Sequence, residues 1–206
     1  IGTEQFVAKH FFEIGAGVDE VTIAENKSNL ELEAIRYGMA TWFLKNFHEA
    51  ARDHNMDITS YRLAQEVIKE DGAPSPASGV TKDIFDAEPV ATRHIVWLLE
   101  PLRNPSVTHY TGTMEHPTPR GQLANTMSTF VHYAFQWSEG NVIFADIQGH
   151  AMGIIIFDLM THTPEGDSGV GDHGPKGIQK WQSQHDCNSY CKNLDLEVGD
   201  DGDNEI

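Results

Sequence analysis

The sequence predicts an α+β fold in two lobes, the first rich in strands around one long helix and the second helical with a small sheet. Residues 5–12 and 94–101 are apolar, β-branched and aromatic, which is the composition of strands. Between them, a long segment repeats apolar residues every three or four positions, as an amphipathic helix does. Residues 103–120 are rich in proline, glycine and hydroxyl groups and lack periodicity, so we expect them to connect the lobes.

The long helix is expected to run from about Asn29 to about Asp53. Ser28 is its expected N-cap, and Glu31, three positions later, would complete a capping box. Residues 58–68 are ambiguous between strand and helix, and residues 71–79 have the composition of a flexible surface loop. The apolar spacing predicts one buried helix face made of Leu32, Ile35, Met39, Trp42, Phe43 and Phe47.

The second lobe should begin with a helix over residues 122–137, because its apolar residues again fall on one face, with Trp137 as the last of them. Two short β-rich runs follow, residues 142–145 and 154–157. A final helix is expected from about Pro175 through the two cysteines. These elements predict three parts, a first lobe over residues 1–101, a second lobe over residues 102–193 and a disordered acidic tail over residues 194–206.

Composition limits the partners that this chain can have. The sequence holds 14 Lys and Arg residues against 31 Asp and Glu residues, a net charge of −17. Such a surface repels nucleic acid and anionic lipid, whereas a basic protein or peptide is a plausible partner. No apolar run is long enough to span a bilayer, so we expect no membrane insertion. Because Ile1 is not a natural start, we also expect further sequence upstream.

The two cysteines of the chain, Cys187 and Cys191, lie close together near its end. Cysteines four apart on a helix point the wrong way to form a disulfide easily, which favours a reduced, cytoplasmic protein. With His185 they have the composition of a three-ligand zinc half-site, whose fourth ligand must come from elsewhere. Two unpaired core cysteines are the alternative that the spacing alone leaves open.

Lys9 is a cation on an apolar strand, and two interpretations are open for it. It could point to solvent from a sheet edge, or it could hold nucleotide phosphates while pairing with a carboxylate from the following helix. Glu33 is a candidate for that carboxylate, and the helix phase leaves Glu31 open as well. Further along, Asp146 and Asp158 each end a predicted strand, where catalytic carboxylates commonly collect and where merely structural aspartates are also common.

These blocks, in this order, resemble the α-kinases, the atypical protein kinases that include myosin heavy chain kinase, elongation-factor kinase and the channel-kinases. The resemblance implies a two-lobed atypical protein-kinase fold with a structural zinc module in the second lobe. It implies transfer of the ATP γ-phosphate, with Mg²⁺, to a serine or threonine hydroxyl of a protein. The zinc ligands it implies are His132, His185, Cys187 and Cys191, a closed set of four that suits a structural ion.

The resemblance also assigns roles to the remaining motif residues. Lys9 matches the nucleotide lysine, and Glu100, before Pro101, matches the hinge glutamate beside the adenine. Asp146 matches the catalytic aspartate, with Gln148 and Asp158 as magnesium ligands. A glycine loop associated with the protein-substrate cleft is matched by Gly169, Gly171 and Gly174.

The sequence departs from the family pattern at several places, which leaves other functions open. Residues 109–113 replace a Lys-Tyr-Asn-Asn-Asn stretch, Leu159 and Met160 follow Asp158 where proline and glutamine are usual, and Asp172 stands where asparagine is usual. The two strands that usually precede the nucleotide lysine are missing. One alternative is therefore a weak or inactive pseudokinase that binds ATP, and a more distant one is a zinc-stapled interaction domain without a nucleotide site.

Overall fold

A computed structural model describes residues 4–15, 21–52, 56–68, 72–103, 106–118, 120–150 and 154–196. The chain divides into two compact units, which are taken separately below: unit 1 comprises residues 1–39 and 59–105, and unit 2 comprises residues 40–58 and 106–206. Much of the predicted acidic tail, residues 197–206, lies outside the described residues, but Leu196 is buried.

The elements follow one another along the chain without a repeat. They are β1 (Phe6–Lys9), α1 (Ile23–Ala51), β2 (Met56–Ile58), β3 (Arg62–Gln65), a 3₁₀ turn (Pro76–Ser78), α2 (Lys82–Ala87), β4 (Val96–Pro101), β5 (Val107–His109), α3 (Gln122–Trp137), β6 (Ile143–Ala145), β7 (Gln148–His150), β8 (Ile154–Phe157), β9 (Met160–His162), α4 (Pro175–Gln184) and α5 (Ser189–Asn193). The ambiguous segment 58–68 thus contains the end of β2 and all of β3, and the predicted loop 71–79 contains the 3₁₀ turn.

Unit 1 is built on a three-stranded antiparallel sheet in the order β1-β4-β3. Residues of β4 alternate between the two faces of the sheet, and Val96, Leu98 and Glu100 are on the buried one. The register pairs Lys9 with Leu98 and Val7 with Glu100. Because cross-strand partners project from the same face, Lys9 lies on the buried face with Glu100.

The predicted start of α1 is wrong by about two turns, since the helix begins at Ile23 rather than near Asn29. Thr22 and Glu25 form a capping box there: the Thr22 N–H donates to Glu25 Oε2 (2.9 Å) and the Glu25 N–H donates to Thr22 Oγ1 (3.2 Å). Both Thr22-x-x-Glu25 and Ser28-x-x-Glu31 have the capping spacing. The upstream one starts the helix because Ile23 and Asn26 are buried behind it.

The predicted buried face of α1 is also partly wrong. Phe43 and Phe47 are buried as expected, but Ile35 is 64% exposed and Trp42 is 53% exposed. The true stripe is rotated because it includes polar residues, which an apolar pattern cannot detect. The buried residues of α1 are Ile23, Asn26, Leu30, Glu33, Arg36, Tyr37, Ala40, Phe43, Leu44 and Phe47.

Unit 2 contains a four-stranded sheet in the order β2-β8-β7-β5, in which β2 and β8 are parallel and the other pairs antiparallel. Strands β6 and β9 form a separate antiparallel pair. Helix α3 has the predicted bounds and buries Phe130 against Phe144 with their rings stacked at 5.4 Å. The expected burial of Trp137 is wrong, because its side chain is 56% exposed and lies beside Trp42.

The final helix is broken where one continuous helix was expected. Helix α4 ends at Gln184, His185 and Cys187 lie in the extended segment behind it, and Cys191 lies on α5. The break occurs because the Asn188 side chain caps a new helix by accepting hydrogen bonds from the N–H groups of Tyr190 and Cys191. Within the described residues, no helix combines the length and apolarity that a membrane span requires.

The rotated stripe of α1 makes a prediction about stability. Leu30→Ala should lower the free energy of unfolding by about 2–5 kcal/mol, because Leu30 is fully buried and its removal leaves a cavity. Ile35→Ala is the matched control and should change it by less than about 0.5 kcal/mol. Urea unfolding followed by circular dichroism measures both, and equal losses for the two variants would contradict the assigned face.

Candidate functional site

Lys9 lies at the centre of a buried charge cluster in unit 1. Its ammonium group is 2.8 Å from Glu100 Oε1 and 3.5 Å from Glu33 Oε1, and both carboxylates are nearly inaccessible to solvent. The structure therefore brings Lys9 together with Glu33 and with Glu100. Glu31, the other carboxylate considered, is exposed on α1 and faces Lys27 at 3.9 Å.

Tyr37 is a member of this cluster that the sequence patterns did not identify. Its hydroxyl donates a 2.7 Å hydrogen bond to Glu100 Oε1. Burial, more than the neighbouring carboxylates, raises the pKa of the phenol well above its ordinary value, so Tyr37 stays protonated and remains a donor. Tyr37 lies four residues after Glu33 on the helix, and residues i and i+4 share one face, so this spacing could have identified Tyr37 as a neighbour of Glu33.

The Glu100 side chain is thus engaged inside unit 1 by Lys9 and Tyr37. The resemblance to the α-kinases implied a position beside the adenine for this residue. Its carboxylate oxygen Oε1 already contacts both partners, so any contact of the strand end with a ligand has to use the main chain or the remaining oxygen. Two carboxylates around one ammonium also leave this cluster with an excess negative charge.

A second group of candidate residues lies in unit 2, where Asp146 follows β6, Gln148 begins β7 and Asp158 follows β8. Burial raises the pKa of the Asp146 carboxyl, and the neighbouring Asp158 carboxylate raises it further. His109 and a hydrogen bond with the Gln148 side chain act in the opposite direction. The three predicted residues are therefore close enough to influence one another.

Both aspartates adopt the left-handed backbone conformation, with φ of 46° at Asp146 and 56° at Asp158. Few non-glycine residues adopt this conformation, although aspartate does so more readily than most, and Arg52, Glu139 and Asp195 adopt it as well. Backbone hydrogen bonds support the Asp146 turn: its N–H donates to the Gly112 carbonyl at 3.1 Å, and the Ile147 N–H donates to Thr111 Oγ1 at 3.0 Å. The carboxylates and the amide oxygen of Gln148 are the ligand types that Mg²⁺ accepts.

The glycine loop before α4 has the backbone geometry that its sequence predicts. Gly169, Gly171 and Gly174 all have positive φ, at 119°, 86° and 62°. A side chain on Gly171 would overlap the sulfur of Met160, so that glycine is required by packing as well as by conformation. Met160, which replaces a usual glutamine, therefore fills the space under this loop.

Asp172 holds the loop together. One carboxylate oxygen accepts hydrogen bonds from the N–H groups of Gly174 (2.8 Å) and Thr163 (3.1 Å). The other accepts from the Ser168 N–H (3.1 Å) and from the hydroxyls of Ser168 and Thr163, both at 2.6 Å. Burial opposes ionisation of Asp172, but these hydrogen bonds outweigh it and lower the pKa of the carboxyl. Asp172 is thus a buried, satisfied anion that orders the loop.

His162 joins the same loop to two other segments. Its Nε2 lies 2.7 Å from the Thr113 carbonyl, and its Nδ1 lies 3.2 Å from the His173 N–H. These partners require Nδ1 to accept and Nε2–H to donate, the pattern of a neutral imidazole. A side chain at Gly177 would overlap the imidazole ring, so α4 packs directly on His162.

The four predicted metal ligands, His132, His185, Cys187 and Cys191, converge in unit 2. Their ligand atoms all lie within 4.8 Å of one another. His132 Nδ1 is 3.1 Å from His185 Nε2 and 3.7 Å from Cys187 Sγ, and His185 Nε2 is 3.9 Å from Cys187 Sγ and 3.8 Å from Cys191 Sγ. Zinc–ligand bonds of about 2.0–2.3 Å give tetrahedral edges of about 3.3–3.8 Å, so the residues fit this ion.

Neighbouring side chains orient these ligands. The Thr129 hydroxyl lies 3.4 Å from Cys191 Sγ, and Ser128 Oγ lies 3.4 Å from His185 Nδ1, on the ring edge that faces away from the cluster. The buried Trp181 ring stacks on His185 at 4.7 Å. Burial, together with His132 and His116, lowers the pKa of His185 to about 4, which keeps the imidazole neutral as metal ligation requires.

The model of the Alpha-kinase family matches residues 2–191 of this chain. Myosin heavy chain kinase A of Dictyostelium discoideum is 37% identical over 75 residues, which are 36% of this chain and 6% of that protein. Eukaryotic elongation factor 2 kinase of Caenorhabditis elegans is 35% identical over 72 residues, 34% of this chain and 9% of that protein. The chain therefore spans only a small part of these relatives.

Among solved structures, the apoenzyme α-kinase domain of myosin-II heavy chain kinase A matches with a TM-score of 0.64 at 21% identity. The match covers 84% of this chain and 60% of that one. The same domain in complex with AMPPCP matches with a TM-score of 0.62 at 21% identity, covering 84% of this chain and 59% of that one. At this identity the likeness shows that the fold is shared.

The Asp172 network makes a prediction that depends on pH. A carboxyl whose pKa is lowered by folding contributes stability above its unfolded pKa of about 4, and that stability is lost as the pH falls through the folded pKa. Asp172→Asn should lower the free energy of unfolding at pH 7 by about 1–3 kcal/mol, because an amide N–H₂ would face the Ser168 N–H. Between pH 7 and pH 3, the free energy of unfolding of the variant should also fall less than that of the wild type.

The matched control is Asp83→Asn, which replaces an exposed carboxylate on α2. Denaturant unfolding at pH 7 and at pH 3 measures all three proteins. An Asp172→Asn curve with the same stability and the same pH dependence as the wild type would contradict the role of Asp172.

Proposed function

The chain belongs to the α-kinase family, and we propose that it is a protein serine/threonine kinase that transfers the ATP γ-phosphate to a hydroxyl of a protein substrate. The observation that carries this proposal is the group formed by Asp146, Gln148 and Asp158. These three residues match the family motif in order, and they influence one another in unit 2. The AMPPCP complex of the related myosin heavy chain kinase A domain supports ATP as the nucleotide.

In unit 1, Lys9 would hold the phosphate oxygens of the nucleotide. Its pairing with Glu33 and Glu100 supports this role, because the two carboxylates fix the ammonium group and keep it charged. Lys9 retains partial exposure, so a phosphate can reach it. For Glu100, the hydrogen bonds already made by its side chain favour a contact of the neighbouring backbone with the adenine, rather than of the carboxylate.

In unit 2, Asp146 would orient the substrate hydroxyl and accept its proton. As the hydroxyl oxygen forms a bond to the γ-phosphorus, the bond from that phosphorus to the β-phosphate oxygen breaks and ADP leaves. The raised pKa of Asp146 suits a carboxylate that has to take up a proton. Gln148 and Asp158 would hold Mg²⁺, which neutralises phosphate charge when bound.

The His132, His185, Cys187 and Cys191 set would hold a structural zinc ion. Four protein ligands leave no coordination position for a substrate, so the ion would join α3 to the segment behind α4 and to α5. Two thiolate ligands persist best in a reducing compartment, which supports an intracellular location.

A basic protein or peptide is the substrate class that the charge supports. The net charge of −17 would attract a cationic partner and repel a polyanion. The glycine loop, with Gly169, Gly171 and Gly174 fixed by Asp172, would contact that partner. The Asp172 carboxylate accepts five hydrogen bonds within this loop, so this departure from the family pattern has a structural explanation and does not favour an inactive pseudokinase.

The other departures have a packing explanation too. Leu159 is buried, and Met160 packs against Thr113 and Gly171. Since these side chains fill the interior of unit 2, they do not favour the pseudokinase over the active kinase. The interaction domain without a nucleotide site is not favoured either, because the chain belongs to the α-kinase family and the related myosin heavy chain kinase A domain forms a complex with AMPPCP.

The kinase proposal is tested by transfer of ³²P from ATP to a basic protein in the presence of magnesium. Asp146→Ala should reduce transfer by about a hundredfold or more, since it removes the group that orients the hydroxyl. Asp83→Ala, which removes an exposed carboxylate on α2, should leave transfer unchanged. Equal, background-level transfer by all three proteins would exclude catalysis.

The zinc proposal is tested by elemental analysis and unfolding without nucleotide. We expect one zinc per chain, and Cys191→Ala should lower the free energy of unfolding by more than about 4 kcal/mol because metal binding is coupled to folding. His94→Ala, which removes a half-buried imidazole of unit 1 that contacts Gln65, is the control and should keep the zinc and lose much less stability. Well-folded protein with a zinc content near zero would refute the site.

A further inference from the structure

A groove in unit 2 extends beyond the proposed catalytic and metal residues, although His185 is among the residues that line it. A cavity of about 550 Å³ continues into a second one of about 510 Å³, and both are lined by residues 109–111 and 116–118 and by Gln184. Helix α3 forms the opposite wall through Ala124, Ser128 and Val131. The groove is open to solvent along this length.

One side of the groove is the free edge of a strand. In the described part of unit 2, β5 pairs with β7 alone and lies at the end of the sheet. Four consecutive residues, 108–111, line the groove. Thr108 and His109 are successive residues of β5 whose side chains point to opposite faces, so the groove reaches the edge of this strand.

The hydrogen-bond pattern of β5 identifies which of its backbone groups point away from β7. The Tyr110 N–H donates to the Ile147 carbonyl at 2.8 Å, so Tyr110 faces β7. In an antiparallel pair, alternate residues face the same neighbour, and Thr108 therefore also faces β7. Val107 and His109 direct their N–H and C=O groups to the other side, where a further strand can pair.

His116 supplies the second observation. It is only 8% exposed, it lines both cavities, and neither of its ring nitrogens has a hydrogen-bond partner among the described residues. Its backbone is fixed, because its N–H donates to Gln184 Oε1 at 2.9 Å. Burial, with His162 and Lys180, lowers the pKa of His116 to about 4, so the imidazole is neutral and offers one donor and one acceptor.

A buried imidazole with both nitrogens unsatisfied is unfavourable, and natural proteins rarely retain one without a use. A bound group that donates or accepts one hydrogen bond would satisfy one of the two nitrogens. The serine, threonine, asparagine and glutamine side chains of a peptide can do either.

The groove adjoins the residues that surround Asp146. The Gly112 carbonyl accepts the Asp146 N–H, and the Thr111 hydroxyl accepts the Ile147 N–H. A chain paired along β5 would therefore run towards the catalytic aspartate. Arg120 and Asp186 both line the groove, so its charge is mixed and main-chain pairing rather than charge has to supply most of the affinity.

We propose that this groove binds the protein substrate as an extended segment that adds a strand to the free edge of β5, with His116 hydrogen-bonded to a polar side chain of that segment. Strand addition of this kind obtains affinity from backbone hydrogen bonds and specificity from pockets for individual side chains. The proposal rests on the proposed kinase function and specifies how its substrate is held.

Two variants separate this role from a structural one. His116→Leu removes both unsatisfied nitrogens, so it should not lower the melting temperature, yet it should raise the KM for the best serine peptide of an arrayed library about tenfold. Val107→Pro removes an N–H from the free edge of β5, at the start of the strand where proline is tolerated, and should raise the same KM. Both variants should keep the KM for ATP and the peptide-independent ATP hydrolysis within about twofold.

An unchanged peptide KM in both variants, while the wild type transfers phosphate, would overturn the groove and leave the kinase function standing. If the wild type transfers no phosphate, the kinase function fails, and hydrogen exchange then tests the groove separately. Slower exchange of the Val107 and His109 amides in the presence of the library peptides would support strand addition. Unchanged exchange at both amides would overturn it.

Discussion

The pairing of Lys9 with Glu33 and Glu100 is the interaction on which unit 1 depends. One ammonium and two carboxylates are withdrawn from water there, and each would be strongly unfavourable without the others. The three residues come from β1, α1 and β4, so satisfying them fixes the helix against the sheet in one rotation. The Lys9 side chain stays partly exposed beside these carboxylates, and under the proposed function a nucleotide phosphate would approach it there.

This cluster also explains why the sequence predicted α1 only in part. The existence of the helix follows from its apolar period, but the period assigned Ile35 and Trp42 to the core, although both are exposed. The true inner face carries Asn26, whose amide donates to the Val96 carbonyl at 3.0 Å, and Glu33. A polar residue that is buried because it forms a hydrogen bond or an ion pair in the interior cannot be identified from the hydrophobic pattern of the sequence. Glu33 was predicted only as one possible partner of Lys9, with Glu31 left open by the helix phase.

In unit 2 the sequence predicted more, because its informative residues are chemically specific. The bounds of α3 and the convergence of the four cysteine and histidine residues were both predicted. The break between α4 and α5 was not, although Asn188 followed by Ser189 has the composition of a helix start. The role of Asp172 also could not be predicted, since its partners Thr163 and Ser168 are polar residues with no pattern of their own. In the sequence Asp172 is only an unexpected negative charge, whereas in the structure its carboxylate is buried and accepts hydrogen bonds.

The association of Lys9 with a nucleotide can be measured directly by calorimetric titration with ATP and magnesium. Lys9→Arg keeps the positive charge between Glu33 and Glu100 but changes the donor geometry, so the variant should remain folded. The account predicts that the wild type binds ATP and that Lys9→Arg binds it at least about tenfold more weakly, a difference of about 1.4 kcal/mol. Equal affinities for the folded wild type and the variant, or no binding by either, would contradict a nucleotide site at Lys9.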